Sequence, residues 1–320
     1  MEEPNALIRG TIFIFGGGDI AFWGALVIAV ALGLSLRLGK SQSTRPVALI
    51  RDVAIGLILV GCGSPPLPIW FQIATFALLA LVLNELRLRP STSTSGSGFS
   101  VQPPRMSQRN FLFFSSFVWL LTAAAIELPF HIWSAPTGSI SQILVIGDSV
   151  TAGLNDGEDT WPKQLSRTAE VKILDASQPG ATLQSARQQN SLLSGLTGLI
   201  VLEIGGNDML EGLPVKRFEE DLERLLTEVA QPGRLIVMFE LPLPPLCAGY
   251  GAAQRGLARR FHVSLIPKRR FCQVLTSKGA TVDGIHLSAR GQTQMMQLIQ
   301  SLLGNRLPMG SGTYQRLERR

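Results

Sequence analysis

Ile143 to Ser149 reads ILVIGDS, and this stretch decides the fold. Four consecutive apolar residues with β-branched members, halted by Gly147, predict a buried parallel strand. Such a strand delivers Asp148 and Ser149 onto the loop at its carboxyl end, where open α/β sheets keep their chemistry. Gly-Asp-Ser alone also fits an ordinary turn, because all three residues are common turn formers. A serine here acts as a nucleophile only if the rest of the chain supplies partners for it.

Working outward from Gln142, strands alternate with helices. Strands are predicted over Ile143–Ile146, Val171–Leu174, Leu199–Ile204, Leu235–Phe239 and, more weakly, Val263–Ile266. Helix-compatible stretches lie between them: Trp161–Thr168, Leu183–Leu193, Val215–Val229 and Ala252–Phe261, with Ser288–Leu303 closing the series. This alternation implies an α/β domain, a mostly parallel sheet of about five strands with helices on both faces, joined by right-handed crossovers. The domain is placed over residues 143–304, and the basic segment 305–320 is expected to be a disordered tail.

The amino half has another character. The chain of 320 residues is 46% hydrophobic and only 16% charged, which directs attention to membrane segments. Apolar runs occupy residues 20–38, 47–63, 67–86 and 111–128, within the roughly 17 to 25 residues a crossing helix uses. The run over 47–63 is the least regular, since Arg51 and Asp52 lie one turn inside it. Residues 1–132 are therefore expected to form an all-α transmembrane region, with 133–142 as a linker. The serine and glycine run at Ser91–Gly98 is expected to be a flexible loop. Arg37, Lys40, Arg45 and Arg51 flank the first connection, and Arg87, Arg89, Arg105 and Arg109 the third. By the bias of basic loops toward the cytoplasm, the fourth helix leads outward and the α/β domain is expected outside the cytoplasm, periplasmic or extracellular.

The net charge of +6 is spread over short groups without interleaved aromatics, so a nucleic-acid partner is not expected. Gly16-Gly17-Gly18 lacks the following lysine and serine or threonine of a phosphate loop. The three cysteines have no paired CxxC spacing, and neither a metal nor a cofactor is expected. Cys62 fits as a small apolar filler. An oxidising compartment would permit a disulfide between Cys247 and Cys272.

A nucleophilic Ser149 needs a base, a group that orients the base, and donors for an oxyanion. Of three histidines, His131 follows the fourth apolar run and His262 joins a helix to a strand, both placements that favour structural roles. His286 differs, because Asp283 precedes it by three residues in Asp283-Gly284-Ile285-His286 and is placed to hold the Nδ1 proton. Two glycine loops at strand ends, Ser177-Gln178-Pro179-Gly180 and Gly205-Gly206-Asn207-Asp208, can supply backbone N–H groups and the Asn207 amide to an oxyanion. Asp148 is expected to organise its loop, and Glu203 and Glu240 to be satisfied structural carboxylates. The Gly-x-Ser-x-Gly elbow of α/β-hydrolases is absent around Ser149.

These blocks resemble the SGNH (GDSL-type) hydrolases: the nucleophile Ser149 in GDSVTAG, Gly180 in SQPG, Asn207 in GGND, and Asp283 with His286 in DGIHLS. The segments LEIGGNDMLEGL and ELPLPPLCAGYG are most similar to the bacterial arylesterase, lysophospholipase and acyl-CoA thioesterase branch. The resemblance implies a three-layer α/β/α, flavodoxin-like fold and metal-free hydrolysis of carboxylic esters or thioesters through an acyl-enzyme. It also implies a triad of Ser149, His286 and Asp283 and an oxyanion hole of Ser149, Gly180 and Asn207. The branch's usual form is soluble and secreted, so an apolar amino half departs from it. The expected substrate is a small acyl ester, a lipid or a glycan ester, with the bilayer as a second partner. Two alternatives remain open: a cell-envelope acyltransferase or glycan O-acetyl esterase using the same triad, and a catalytically silent binding module on a membrane scaffold.

Overall fold

The computed structural model describes residues 69–87 and 108–317 other than 139, 193 and 245, together with 16, 17, 22, 24, 25, 55, 57, 58, 66 and 67. The chain divides into two compact units, one spanning Gly18–Pro129 and the other comprising Met1–Gly17 and Phe130–Arg320.

In the larger unit a six-stranded sheet runs in the order β5-β4-β3-β1-β2-β6, with every neighbouring pair parallel. The strands are β1 (Gln142–Gly147), β2 (Lys172–Asp175), β3 (Gly198–Glu203), β4 (Arg234–Phe239), β5 (Ser264–Ile266) and β6 (Thr313–Arg316). β1 lies between β2 and β3 because the chain steps to one side for β2 and then crosses back for β3. The gap beyond the carboxyl ends of β1 and β3 is thus a topological switch point, the place where open sheets leave a crevice.

Alternation along the strands builds two cores. Leu144, Ile146, Ile200, Leu202 and Met238 face one side and pack against Phe218, Leu222, Leu225, Leu226 and Val229. Those five recur at helical spacing along the helix Val215–Val229, whose other face is polar. Ile143, Val145, Leu199, Val201 and Phe239 face the opposite side and meet Trp161, Phe271, Met295 and Ile299. Helices therefore cover both faces, and the expected three-layer α/β domain is present.

Two expectations, the strand count and the disordered tail, need correction. The sheet has six strands, since Thr313–Arg316, expected within a disordered tail, is ordered as β6 beside β2. A polar, half-exposed edge strand carries no apolar run to announce it; backbone pairing holds it, together with bonds from Tyr314 Oη and the Leu317 N–H to Asp175. A helix over Lys268–Leu275 was not anticipated. Cys247 and Cys272 form no disulfide. Cys247 packs with the first core, whereas Cys272 is buried on a helix that packs into the second, so the sheet separates them.

In the smaller unit the third and fourth apolar runs are helical over Ile69–Arg87 and Gln108–Glu127. The indole N–H of Trp119 donates to Thr75 Oγ1 at 2.9 Å, and Trp119 stacks on Phe71 with centroids 4.2 Å apart. The expected crossings are not supported: among the described residues no helix is long and apolar enough to cross a membrane. Asn84, Glu85 and Arg87 end the first helix, and Gln108, Arg109 and Asn110 open the second, shortening the apolar part of each. The runs over 20–38 and 47–63, and the loop over 91–98, fall almost wholly outside the described residues.

The segment joining the fourth run to β1 is docked on the α/β unit. The Arg255 guanidinium lies 3.7 Å over the Phe130 ring, and the Trp133 indole N–H donates to the Leu302 carbonyl at 2.9 Å.

Candidate active site

At the end of β1 the chain turns directly into a short helix, α1 (Ser149–Ala152), whose first residue is Ser149. Asp148 caps it, its Oδ1 accepting from the Val150 N–H at 2.9 Å. Gly147 is required because a Cβ there would meet Thr151 Cβ at 2.8 Å. The turn is held by two buried groups that the sequence did not single out. Gln189 accepts from the Gly147 N–H and donates to the Gly147 carbonyl, both at 3.0 Å. Gln292 accepts from the Trp161 N–H at 2.9 Å and donates to the Val150 carbonyl at 3.3 Å.

Beneath Asp148 lies Glu203, the last residue of β3. Its Oε2 accepts from Thr151 Oγ1 at 3.0 Å, and its carbonyl accepts from the Asp148 N–H at 3.1 Å. Burial, then the Asp148 charge, push the Glu203 carboxyl well above the ordinary range. Asp148 is raised by burial as well, while its bonds to the Val150 N–H and to Glu203 pull it back. A protonated Glu203 donating to Asp148 accounts for part of the rise at Glu203 and for the pull that Glu203 exerts against burial at Asp148. Both carboxyls thus serve the loop, as expected.

The two glycine loops converge on this turn. Gly180 has φ +70° and nothing within 4 Å of a Cβ position, so the backbone conformation demands glycine there, not crowding. The Asn207 side-chain amide donates one hydrogen to the Ala181 carbonyl at 2.8 Å, binding the two loops together. Its second hydrogen and the N–H groups of Ser149 and Gly180 have no acceptor among the described residues. Asp208 Oδ2 accepts from the Leu183 N–H at 2.9 Å, tying the GGND loop to the helix that follows Gly180.

His286 lies on a tight excursion closed by the Thr281–Leu287 bridge, with Ser288 capping the next helix. Its Nδ1 is 2.6 Å from Asp283 Oδ2, and Asp283 Oδ1 accepts from the N–H groups of Ile285 (3.0 Å) and His286 (2.9 Å). Burial works to raise the Asp283 carboxyl, but the bonds from the ring and the two N–H groups outweigh it and hold the carboxyl below its usual range. His286 is near enough for its charge to bear on Asp148. The Ser149 hydroxyl makes no hydrogen bond among the described residues. In serine hydrolases without substrate the contact between nucleophile and base is often long and tightens on binding.

Ser149, Gly180, Asn207, Asp283 and His286 therefore collect at one edge of the sheet. His262, at the entry to β5, lies at the opposite edge. Glu240 is buried away from solvent, with Oε1 on Arg255 Nε at 2.6 Å and Oε2 accepting from the Lys268 N–H at 3.2 Å, a structural pairing. Among the described residues no group of three or more His, Cys, Asp or Glu could hold a metal ion.

A parallel three-layer α/β domain with a buried serine, a carboxylate-held histidine and two donor loops at its switch point has the arrangement of a serine hydrolase. Residues 145–294 match the family model of the GDSL-like Lipase/Acylhydrolase family. The chain is 29% identical over 124 residues to an arylesterase of Vibrio mimicus, covering 36% of this chain and 62% of that protein. It is 29% identical over 157 residues to Thioesterase 1/protease 1/lysophospholipase L1 of Escherichia coli K12, covering 45% of this chain and 74% of that one. Among solved structures, a crystal structure of TesA superposes with a TM-score of 0.46 at 23% identity, over 52% of this chain and 99% of that chain.

Proposed function

We propose that the chain is a serine esterase acting on carboxylic ester or thioester bonds through an acyl-enzyme. The observation that carries this is the 2.6 Å pairing of His286 Nδ1 with Asp283 Oδ2, on a loop whose neighbouring helix is tied through Gln292 to the Ser149 turn. Asp283 holds the Nδ1 proton, leaving Nε2 to take the proton of Ser149 Oγ as that oxygen bonds to the acyl carbon. The N–H groups of Ser149 and Gly180 and the second Asn207 amide hydrogen donate to the oxyanion. Collapse breaks the bond to the leaving oxygen or sulfur, which takes the proton from Nε2. Water then gives a proton to His286 Nε2 as its oxygen bonds to the acyl carbon, and collapse breaks the bond to Ser149 Oγ, which takes that proton back as the acid leaves. The names of the arylesterase and thioesterase relatives support an acyl ester or thioester substrate.

The proposal includes anchoring to a bilayer with the α/β unit outside the cytoplasm. It is supported by the four apolar runs, by the placement of basic loops, and by large apolar side chains left exposed on the two described helices, including Trp70, Ile73, Phe111 and Phe114. Labelling intact cells with a membrane-impermeant fluorophosphonate tests both parts. Labelling at Ser149 that Ser149→Ala abolishes is the expected result. Labelling only after lysis would overturn the sidedness, and turnover of p-nitrophenyl esters that survives Ser149→Ala would overturn the mechanism.

A further inference from the structure

The sixth strand brings a cation to the back of the site. Arg316, the last residue of β6, lies opposite Asp175 in the parallel register, at the same carboxyl edge of the sheet as Ser149. Its Nη1 donates to the Ala152 carbonyl and its Nη2 to the Ser177 carbonyl, both at 3.2 Å. Ala152 is the last residue of the helix that begins with Ser149. Ser177 opens the Ser177-Gln178-Pro179-Gly180 loop, and its own N–H and hydroxyl are fixed by Asp175 Oδ1 at 3.0 and 2.6 Å. One planar guanidinium therefore spans the two segments that carry the nucleophile and the first oxyanion glycine.

We propose that Arg316 is a positioning residue that sets the distance between Ser149 and the Gly180 N–H, and so the fit of the oxyanion hole to the transition state. This rests on the esterase reading above. β6 lies beyond residues 145–294, which match the family model. The guanidinium suits the task because its donors project in a fixed fork, whereas a lysine ammonium on a flexible stem holds no such spacing. Its two acceptors are the backbone carbonyls of Ala152 and Ser177, which lie outside the proposed triad and oxyanion donors. Its loss thus alters geometry without removing a contact to substrate, and falls on kcat more than on KM.

The test is steady-state hydrolysis of a p-nitrophenyl ester by the full-length wild type, R316A, R316K and Q315A, with the folded fraction of each followed by near-ultraviolet circular dichroism. R316A is expected to lower kcat by about 10- to 100-fold with KM within about threefold of wild type. R316K should fall between, and guanidinium at concentrations far below those that unfold proteins should restore part of the R316A rate but leave wild type unchanged. Q315A, on the exposed side of the same strand, should match wild type. If R316A does not fold, R316K with its intact strand carries the comparison. Wild-type kcat in R316A or R316K, or a loss that tracks the folded fraction and resists guanidinium, would overturn the inference while leaving the esterase reading intact. A wild type that neither turns over ester nor reacts at Ser149 with a fluorophosphonate would bring down the esterase reading and this inference with it.

Discussion

The side-chain amide of Gln189 brackets the backbone of Gly147, accepting from its N–H and donating to its carbonyl, each at 3.0 Å. β1 ends there; the Gly147 carbonyl also accepts from the Gln178 N–H at 3.1 Å, but the Gly147 N–H is bonded to the Gln189 amide. Gln189 is fully buried, so the amide completes the strand end that supports Ser149. Gln189→Leu leaves the buried Gly147 N–H unpaired, while the carbonyl keeps its bond from the Gln178 N–H at 3.1 Å, and should destabilise the unit by about 1–3 kcal/mol. Urea unfolding checks this, and a variant as stable as wild type would show that water or a shifted loop replaces the amide.

Asp283→Asn keeps the shape of the loop but removes the charge that holds the His286 tautomer. Ester hydrolysis should fall by about four orders of magnitude in kcat, by analogy with the same change in a serine protease triad. Because the Asp283 carboxyl is held below its usual range, its contribution to stability is present above the unfolded pKa and is lost as pH falls through the folded one. Melting temperature measured across the acid range should therefore drop less steeply in Asp283→Asn than in wild type.

Glu203 has the opposite sign. Its carboxyl is raised by burial and by Asp148, so the folded state holds a proton that the unfolded chain releases at lower pH. Stability should then decline as pH rises from the unfolded pKa toward the folded one. Glu203→Gln offers Asp148 the same donor and Thr151 the same acceptor without a proton to lose. It should match wild type below the unfolded pKa and exceed it as pH rises above that, whereas Glu203→Ala should be less stable throughout. Denaturant midpoints over a pH series measure both.

Gly312 leads into β6, and a Cβ there would meet the Val171 carbonyl oxygen at 2.0 Å. Gly312→Ala should detach the entry to the strand and destabilise the unit by about 1–3 kcal/mol. Hydrogen exchange should show lost protection at Thr313 and Leu317, whose N–H groups bond to Val171 and Asp175. Unchanged protection there would mean that β6 adapts without strain.

The residues of the proposed site were legible because each sits in a short block of distinctive type. Asp283 and His286 are three apart on one loop, so the 2.6 Å contact is local and needed no fold to predict it. Gly180 and Asn207 were legible as turn residues after strands, but their union through the Ala181 carbonyl was not. Gln189, Gln292 and Arg316 carried no signal. Glutamine in a helix and arginine in a basic tail read as solvated surface, and only contacts across 42, 142 and 164 residues give them work.

Sequence by itself determined the α/β alternation, the position of the strand that leads into Ser149 and the identity of the paired carboxylate and histidine. Apolar periodicity and local spacing are properties of neighbouring residues, and a linear chain displays them in full. Tertiary structure alone decided that β1 lies between β2 and β3, that a polar strand extends the sheet beside β2, and that Arg316 clamps the Ser149 turn to the Gly180 loop. Those outcomes depend on which backbone edges remain open once the core has closed, and a half-exposed edge strand is chosen by main-chain hydrogen bonds that no side-chain pattern records.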